Sequence, residues 1–251
     1  MANKIKDTDY LAISARVRAM ETTLLTAERM ERLLEARSDE EVSKLLQDCG
    51  YPELDAARPE AMDAALSQAR EELLTDLGDG APVLDRSRYR DMALVAEDTG
   101  SQFLRGYVET QIDAANLRAL IRTLRMGKNA DFLAGVLFES GTVEPAAILA
   151  AANHPAGGLN EIYGPTRFAQ AAEAGEAALK GGSLTEFEKR CDDAVSDYLA
   201  GAQMIPFGEA PLLAYLAARE TEYTNIRILL MGRAAGLSPE VIRSRLRRTC
   251  A

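Results

Sequence analysis

Residues 221–233 read TEYTNIRILLMGR, and residues 113–128 read DAANLRALIRTLRMGK. Each copy has an acid three residues before an asparagine, an Asn-aliphatic-Arg triplet, an aliphatic run and a Met-Gly-basic ending. Groups three apart share a helical face, so Asp113 lies with Asn116 and Glu222 with Asn225. Both pairs sit beside an apolar stripe, Leu117, Leu120 and Leu124 in one copy and Ile226, Leu229 and Leu230 in the other. Neither copy resembles a site for bond-making chemistry. Asp113, Asn116, Arg118, Glu222, Asn225 and Arg227 are therefore structural or interface candidates. They either hydrogen-bond across to a neighbouring helix and hold register, or they face the helix of a partner.

Asn116 and Asn225 stand 109 positions apart, and so do Arg118 and Arg227. The glycines of the Met-Gly-basic endings, Gly127 and Gly232, differ by 105, so the first copy reads as carrying four extra residues, about one helical turn. A fainter third copy lies at the N-terminus, where ARVRAM (Ala15 to Met20) aligns with ANLRAL (Ala115 to Leu120) at an offset of 100. After each copy comes a short helix with related spacing: VSKLL, AAIL and EVIRSRL. A long helix, a turn and a short helix, written three times, predict an all-α chain of three pseudo-equivalent bundles, roughly residues 8–80, 85–155 and 160–251, within one domain over 1–251.

Working outward, Ile13, Val17, Met20, Leu24 and Leu25 recur at helical spacing and predict one amphipathic helix from Tyr10 to Leu34. Ser38 with Glu41 is a capping box, and Gly50 and Pro52 stop the helix it starts. Pro59 to Leu77 follows, led by proline and ended by GDGAP. Asp85 to Glu97 reads as a further helix, and Ser101 to Gly127 as a rod of roughly 40 Å. NHPAGGLNEIYGP (Asn153 to Pro165) reads as a loop and the boundary within the chain. A second capping box, Ser183 and Glu186, opens a helix with Phe187, Cys191, Ala194, Val195, Tyr198 and Leu199 on one stripe. The last long helix spans Leu212 to Met231, and Ser238 caps a short one with Pro239 at its first position.

A formal net charge of −10 repels nucleic acid and anionic headgroups, so polyanion binding is excluded as a first reading. The local exception is RSRLRR, where Arg243, Arg245, Arg247 and Arg248 either complement a helix C-terminus or form a contact patch for an acidic partner. Cys49, Cys191 and Cys250 are odd in number, widely spaced and without a secretory signal, which suits a reducing cytoplasm. Apolar runs such as FLAGVL (Phe132 to Leu137) are far too short to span a bilayer, so membrane association goes through a partner.

No cofactor or metal is expected. Walker A, GxGxxG and HExxH sequences are absent, and the one histidine, His154, lies in a Pro/Gly-rich stretch with no ligand cluster. Asp192, Asp193 and Asp197 in CDDAVSDYL resemble the aspartate-rich motif of all-α isoprenoid synthases. Such enzymes need a second, facing motif and an apolar cavity; neither is visible, and the carboxylates read as a solvated acidic face.

PFGEAPLLAYLAARETEYTNIRILLMGRAAGLSPEVIRSRL (Pro206 to Leu246) resembles the C-terminal signature of the C-type subunits of archaeal and bacterial V/A-type ATP synthases, relatives of the d-type subunits of eukaryotic V-ATPases. YLAISARVRAMETTLL (Tyr10 to Leu25) resembles the N-terminal block of the same family. The chain is shorter than many members. The resemblance implies three helical bundles arranged as a funnel around a pseudo-threefold axis. It also implies a non-catalytic rotor coupling subunit on the cytoplasmic face of the membrane. Its partners would be the central-stalk subunits of the soluble head and the proteolipid ring, with torque passed between them. The alternative is a free-standing helical scaffold or adaptor.

Overall fold

The computed structural model describes residues 11–54, 59–77, 96–97, 100–153 and 155–250. Among them the regular elements are helical throughout, with no strand. In chain order they are α1 (Leu11–Met20), α2 (Ala27–Glu35), α3 (Asp39–Asp48), α4 (Pro59–Leu77), α5 (Gln102–Arg125), α6 (Ala130–Ala134), α7 (Pro145–Asn153), α8 (Pro155–Tyr163), α9 (Ala169–Leu179), α10 (Leu184–Leu199), α11 (Glu209–Ala234) and α12 (Pro239–Arg245). The chain divides into two compact units, one of Met1–Ile5 with Arg86–Gly201 and one of Lys6–Asp85 with Ala202–Ala251.

The first unit holds α5 to α10. Its core gathers Leu117, Leu120 and Ile121 of α5, Leu133 of α6, Ile148 of α7, Leu159 and Tyr163 of α8, and Phe187 and Cys191 of α10. Helix α9 packs on α8 and α10, and α10 also packs along α5. The alanine-rich α9 allows close approach, because a Cβ at Gly175 would stand 2.9 Å from Ile121 Cδ1. Gly106 plays the same part within α5, where a Cβ would collide with the Tyr198 hydroxyl that donates to Phe103 O at 2.7 Å.

The second unit closes α11 and α12 over the N-terminal helices, with Leu33, Leu34, Val42, Leu46, Tyr51, Met62, Ile226, Leu229 and Ile242 in one core. Here the expected single helix from Tyr10 to Leu34 is broken. Helix α1 ends at Met20, a 3-10 turn covers Glu21–Thr23, Leu24 is extended at φ −63 and ψ 151, and Thr26 caps α2 by accepting from Arg29 N. Two competing interactions explain the break. The Leu25 N–H is taken by the Glu222 carboxylate instead of a helical carbonyl, and the Thr26 hydroxyl restarts the helix.

NHPAGGLNEIYGP is also corrected. Residues 155–163 are helical, with Pro155 at the start and Leu159 and Tyr163, one turn apart, both fully buried. Burial on one face outweighs the low propensity of two glycines. This stretch lies inside the first compact unit. His154, the GDGAP loop and all of the Asp85–Glu97 helix except residues 96–97 lie outside the described residues.

The Ser38 box is half formed as expected. Ser38 Oγ accepts from Glu41 N at 3.2 Å, but Glu41 reaches back one residue further, to Arg37 N at 2.7 Å. Ser183 likewise accepts from Glu186 N at 3.3 Å, while Glu186 pairs with Arg190 at 2.7 Å, one turn on.

Candidate functional site

Asn116 is fully buried on α5, and its side chain meets the backbone of Phe138 with both halves of the amide. Nδ2 donates to Phe138 O at 2.8 Å, and Oδ1 accepts from Phe138 N at 2.8 Å. Asn225 on α11 repeats this with Arg247, donating to its O at 2.9 Å and accepting from its N at 2.7 Å. Both clamps close across 22 residues. The asparagines thus grip the segment that follows the next short helix, rather than a neighbouring helix as their position on the face suggested.

Between the clamped ends the two copies keep one register. Helix α5 ends in a Schellman motif, with Gly127 at φ 64 and Lys128 N donating to Thr123 O at 3.1 Å. Helix α11 ends the same way, with Gly236 at φ 70 and Leu237 N donating to Gly232 O at 2.9 Å. Two residues later Asn129 caps α6 and Ser238 caps α12. Four residues after each cap a buried aliphatic, Leu133 or Ile242, plugs the core. Every one of these pairs is 109 positions apart.

The four-residue insertion expected in the first copy is therefore corrected. Gly127 corresponds to Gly236, and Gly232 lies inside α11, where a Cβ would stand 2.8 Å from Ile242 Cγ1. The shared Met-Gly-basic letters align a left-handed helix terminus with a helix-packing glycine, two unrelated needs for the same residue. The counterpart of EVIRSRL is also the α6 segment DFLAGVL (131–137), not AAIL. Among the described residues the N-terminal copy shows no such clamp. Val17 is buried, but α1 stops at Met20 and Arg18 turns to Glu21 at 2.8 Å and to the carbonyls of Ala202 and Ile205 at 3.1 and 2.9 Å.

One turn before each asparagine sits a buried carboxylate. Asp113 accepts from the Thr142 hydroxyl and from Val143 N at 3.2 Å. Burial pushes its carboxyl above the usual aspartate range, and those two hydrogen bonds oppose the shift. Glu222, longer by one methylene, accepts from Leu25 N, the Tyr51 hydroxyl and Arg219 Nη1, the last at 3.0 Å. Arg219 also donates to the Tyr51 hydroxyl at 3.0 Å, to Tyr215 at 3.1 Å and to Thr23 at 2.8 Å. Sequence reasoning missed Arg219 and Tyr51. The Arg219–Glu222 spacing of three was legible as a helical ion pair, but Tyr51 is 171 residues from Glu222 and carried no signal.

The two arginines diverge. Arg118 is held by Glu188 at 2.7 Å and Asp192 at 2.5 Å, both from α10, and Arg122 shares Glu188 at 2.7 Å. Arg227 meets Asp63 of α4 at 2.8 Å on the surface. The acidic-face reading of CDDAVSDYL changes accordingly: Asp192 is paired to Arg118, Asp193 is buried and only Asp197 is exposed. Adjacent residues on a helix point about 100° apart, so Asp192 and Asp193 do not share a face. Among the described residues no group of three or more His, Cys, Asp or Glu side chains is placed to hold a metal ion.

The asparagines tie the two long helices to the segments that follow their own short helices, Asp113 holds residues 142–143 and Glu222 holds Leu25 and Tyr51. The ATP synthase (C/AC39) subunit family matches residues 13–77 and 59–245, and the chain belongs to that family. It is similar to the C-type subunit of the A-type ATP synthase of Haloferax volcanii, 31% identical over 171 residues that cover 65% of this chain and 47% of the relative. The C-type subunit of the V-type sodium ATPase of Enterococcus hirae is 25% identical over 167 residues, 66% of this chain and 50% of the relative. Its A-type ATP synthase counterpart from Halorubrum lacusprofundi is 28% identical over 225 residues, 87% and 61%. By the first of these, the chain spans about half the length of the curated relatives it matches.

Proposed function

We propose that the chain is a non-catalytic rotor coupling subunit of a V/A-type ATPase, joining central-stalk subunits to the proteolipid ring and passing torque between them. Family membership carries this reading, and the duplicated clamp supports it physically. A torque-bearing body must not shear at its helix ends, where packing is thinnest and fraying is cheapest. Here each long helix is tied to its own knuckle by a Schellman turn, a capped short helix, a buried aliphatic plug and two hydrogen bonds from one asparagine.

A funnel of three helical bundles around a pseudo-threefold axis belongs to the same proposal, as does a place on the cytoplasmic face of the membrane. No described helix is long and apolar enough to cross a membrane, so in this reading attachment goes through the ring. Native mass spectrometry of the chain with the central-stalk subunits of its own organism tests the proposal. A defined one-to-one complex supports it. A persistent monomer with both stalk and purified ring present points instead to a free-standing scaffold or adaptor.

A further inference from the structure

Each long helix brings its buried carboxylate to the start of a pair of short helices, and the two pairs correspond. Asp113 takes the N–H of Val143, two residues before α7, and Glu222 takes that of Leu25, two residues before α2. Helices α7 and α2 are both nine residues long. The second helix of each pair leads to a buried tyrosine: Tyr163 is the last residue of α8, and Tyr51 lies three residues beyond α3. Tyr51 donates its hydroxyl to Glu222. Tyr163 is fully buried, and its hydroxyl has no hydrogen-bond partner.

The acid accounts for the difference. Asp113 is one methylene shorter than Glu222, and the counterpart of Arg219 in the 109-residue register is Thr110, whose hydroxyl donates to Gly106 O at 2.6 Å. Burial raises the Tyr163 phenol above its usual range, and Asp113 and then Cys191 add to the shift, so the carboxylate bears on a hydroxyl it does not bond. Backbone closes against the same carboxylate at Gly141, where a Cβ would collide with Oδ1. Thr142 and Val143 occupy two of the roughly four lone-pair sites that a carboxylate offers. A buried acceptor with spare capacity and a buried donor without a partner are the groups that an internal water joins.

We propose that Tyr163 and Asp113 bind one internal water molecule in the core of the first unit, the water accepting from the phenol and donating to the carboxylate. Through a bound molecule it makes the link that Tyr51 and Glu222 make directly in the second unit. The site concerns the first unit alone and is independent of the coupling role.

A crystal structure of the full chain, at a resolution that orders internal water, tests the site directly. An ordered water within hydrogen-bond distance of both the Tyr163 hydroxyl and an Asp113 oxygen is expected. A direct Tyr163–Asp113 bond, a water on one of the two groups only, or a hydroxyl with nothing beside it overturns the proposal. Urea unfolding of Tyr163→Phe supplies the energetic half. Loss of the hydroxyl strands the water on the carboxylate, so the folding equilibrium constant should fall about fivefold or more. An unchanged or larger constant, as removal of a merely unpaired hydroxyl would give, overturns the site as well. Should the variant fail to fold, the wild-type crystal alone decides between these outcomes.

Discussion

Asn225 and Arg247 exchange two hydrogen bonds, 2.9 and 2.7 Å long, between a buried side-chain amide and a backbone 22 residues away. Replacing Asn225 by Leu removes both hydrogen bonds to the Arg247 backbone, and a buried pairing broken from one side costs about 1–3 kcal/mol. Asn116→Leu should cost a similar amount through Phe138. Urea unfolding reads both as a lower midpoint at constant slope. An unchanged midpoint would show that water serves the clamped segment equally well.

Glu222 binds the break between α1 and α2 through the Leu25 N–H, and it neutralises Arg219 at 3.0 Å. Glu222→Ala should therefore destabilise the second unit by roughly 3 kcal/mol, because a partly buried guanidinium loses its counter-charge. Hydrogen exchange at Leu25 should accelerate in the same variant. Protection at Leu25 equal to wild type would mean that another group holds the break in place.

Asp113 gives a pH signature of known sign. Its carboxyl is raised in the folded state by burial, so the folded protein binds the proton more tightly than the unfolded chain does. Its favourable contribution is complete below the ordinary aspartate pKa of about 3.9 and is lost as pH rises through the folded value. Wild type should thus lose stability relative to Asp113→Asn as pH rises from about 4. The difference should level off above the folded pKa. A flat difference across the acid range would contradict the burial argument.

The three thiols should differ in reactivity. Cys191 and Cys250 are buried, and burial pushes their pKa up to about 12 and about 11. Cys49 is half-exposed at the end of α3. Brief iodoacetamide treatment of the native chain at pH near 8 should label Cys49 first, and denaturation should release the other two. Intact-mass and peptide mapping distinguish this from uniform labelling.

How far the sequence could be read depended on the range of the interaction. Helix starts at Ser38, Ser101, Ser183 and Ser238 were legible because a cap needs a hydroxyl and an amide three residues on, and both lie in one local stretch. The paired Asp113/Asn116 and Glu222/Asn225 were also visible, since three-residue spacing defines a face. What they bind was not. Their partners at Phe138, Arg247, Val143 and Leu25 are backbone groups, which every residue possesses and no letter marks.

The misreadings have the same origin. Met-Gly-basic looked like a repeated terminus because glycine serves two purposes, a left-handed turn at Gly127 and close packing at Gly232, and only φ and the neighbouring Ile242 separate them. The Pro/Gly-rich stretch at 155–163 looked like a loop because propensity is local, whereas the burial of Leu159 and Tyr163 comes from helices elsewhere in the chain. By itself, then, the sequence determined an all-helical chain, its caps, its family and the two asparagines. The break at Leu24, the ungapped register of the two knuckles and the backbone partners of the two asparagines were decided by tertiary structure, because each depends on groups brought together across tens to hundreds of residues.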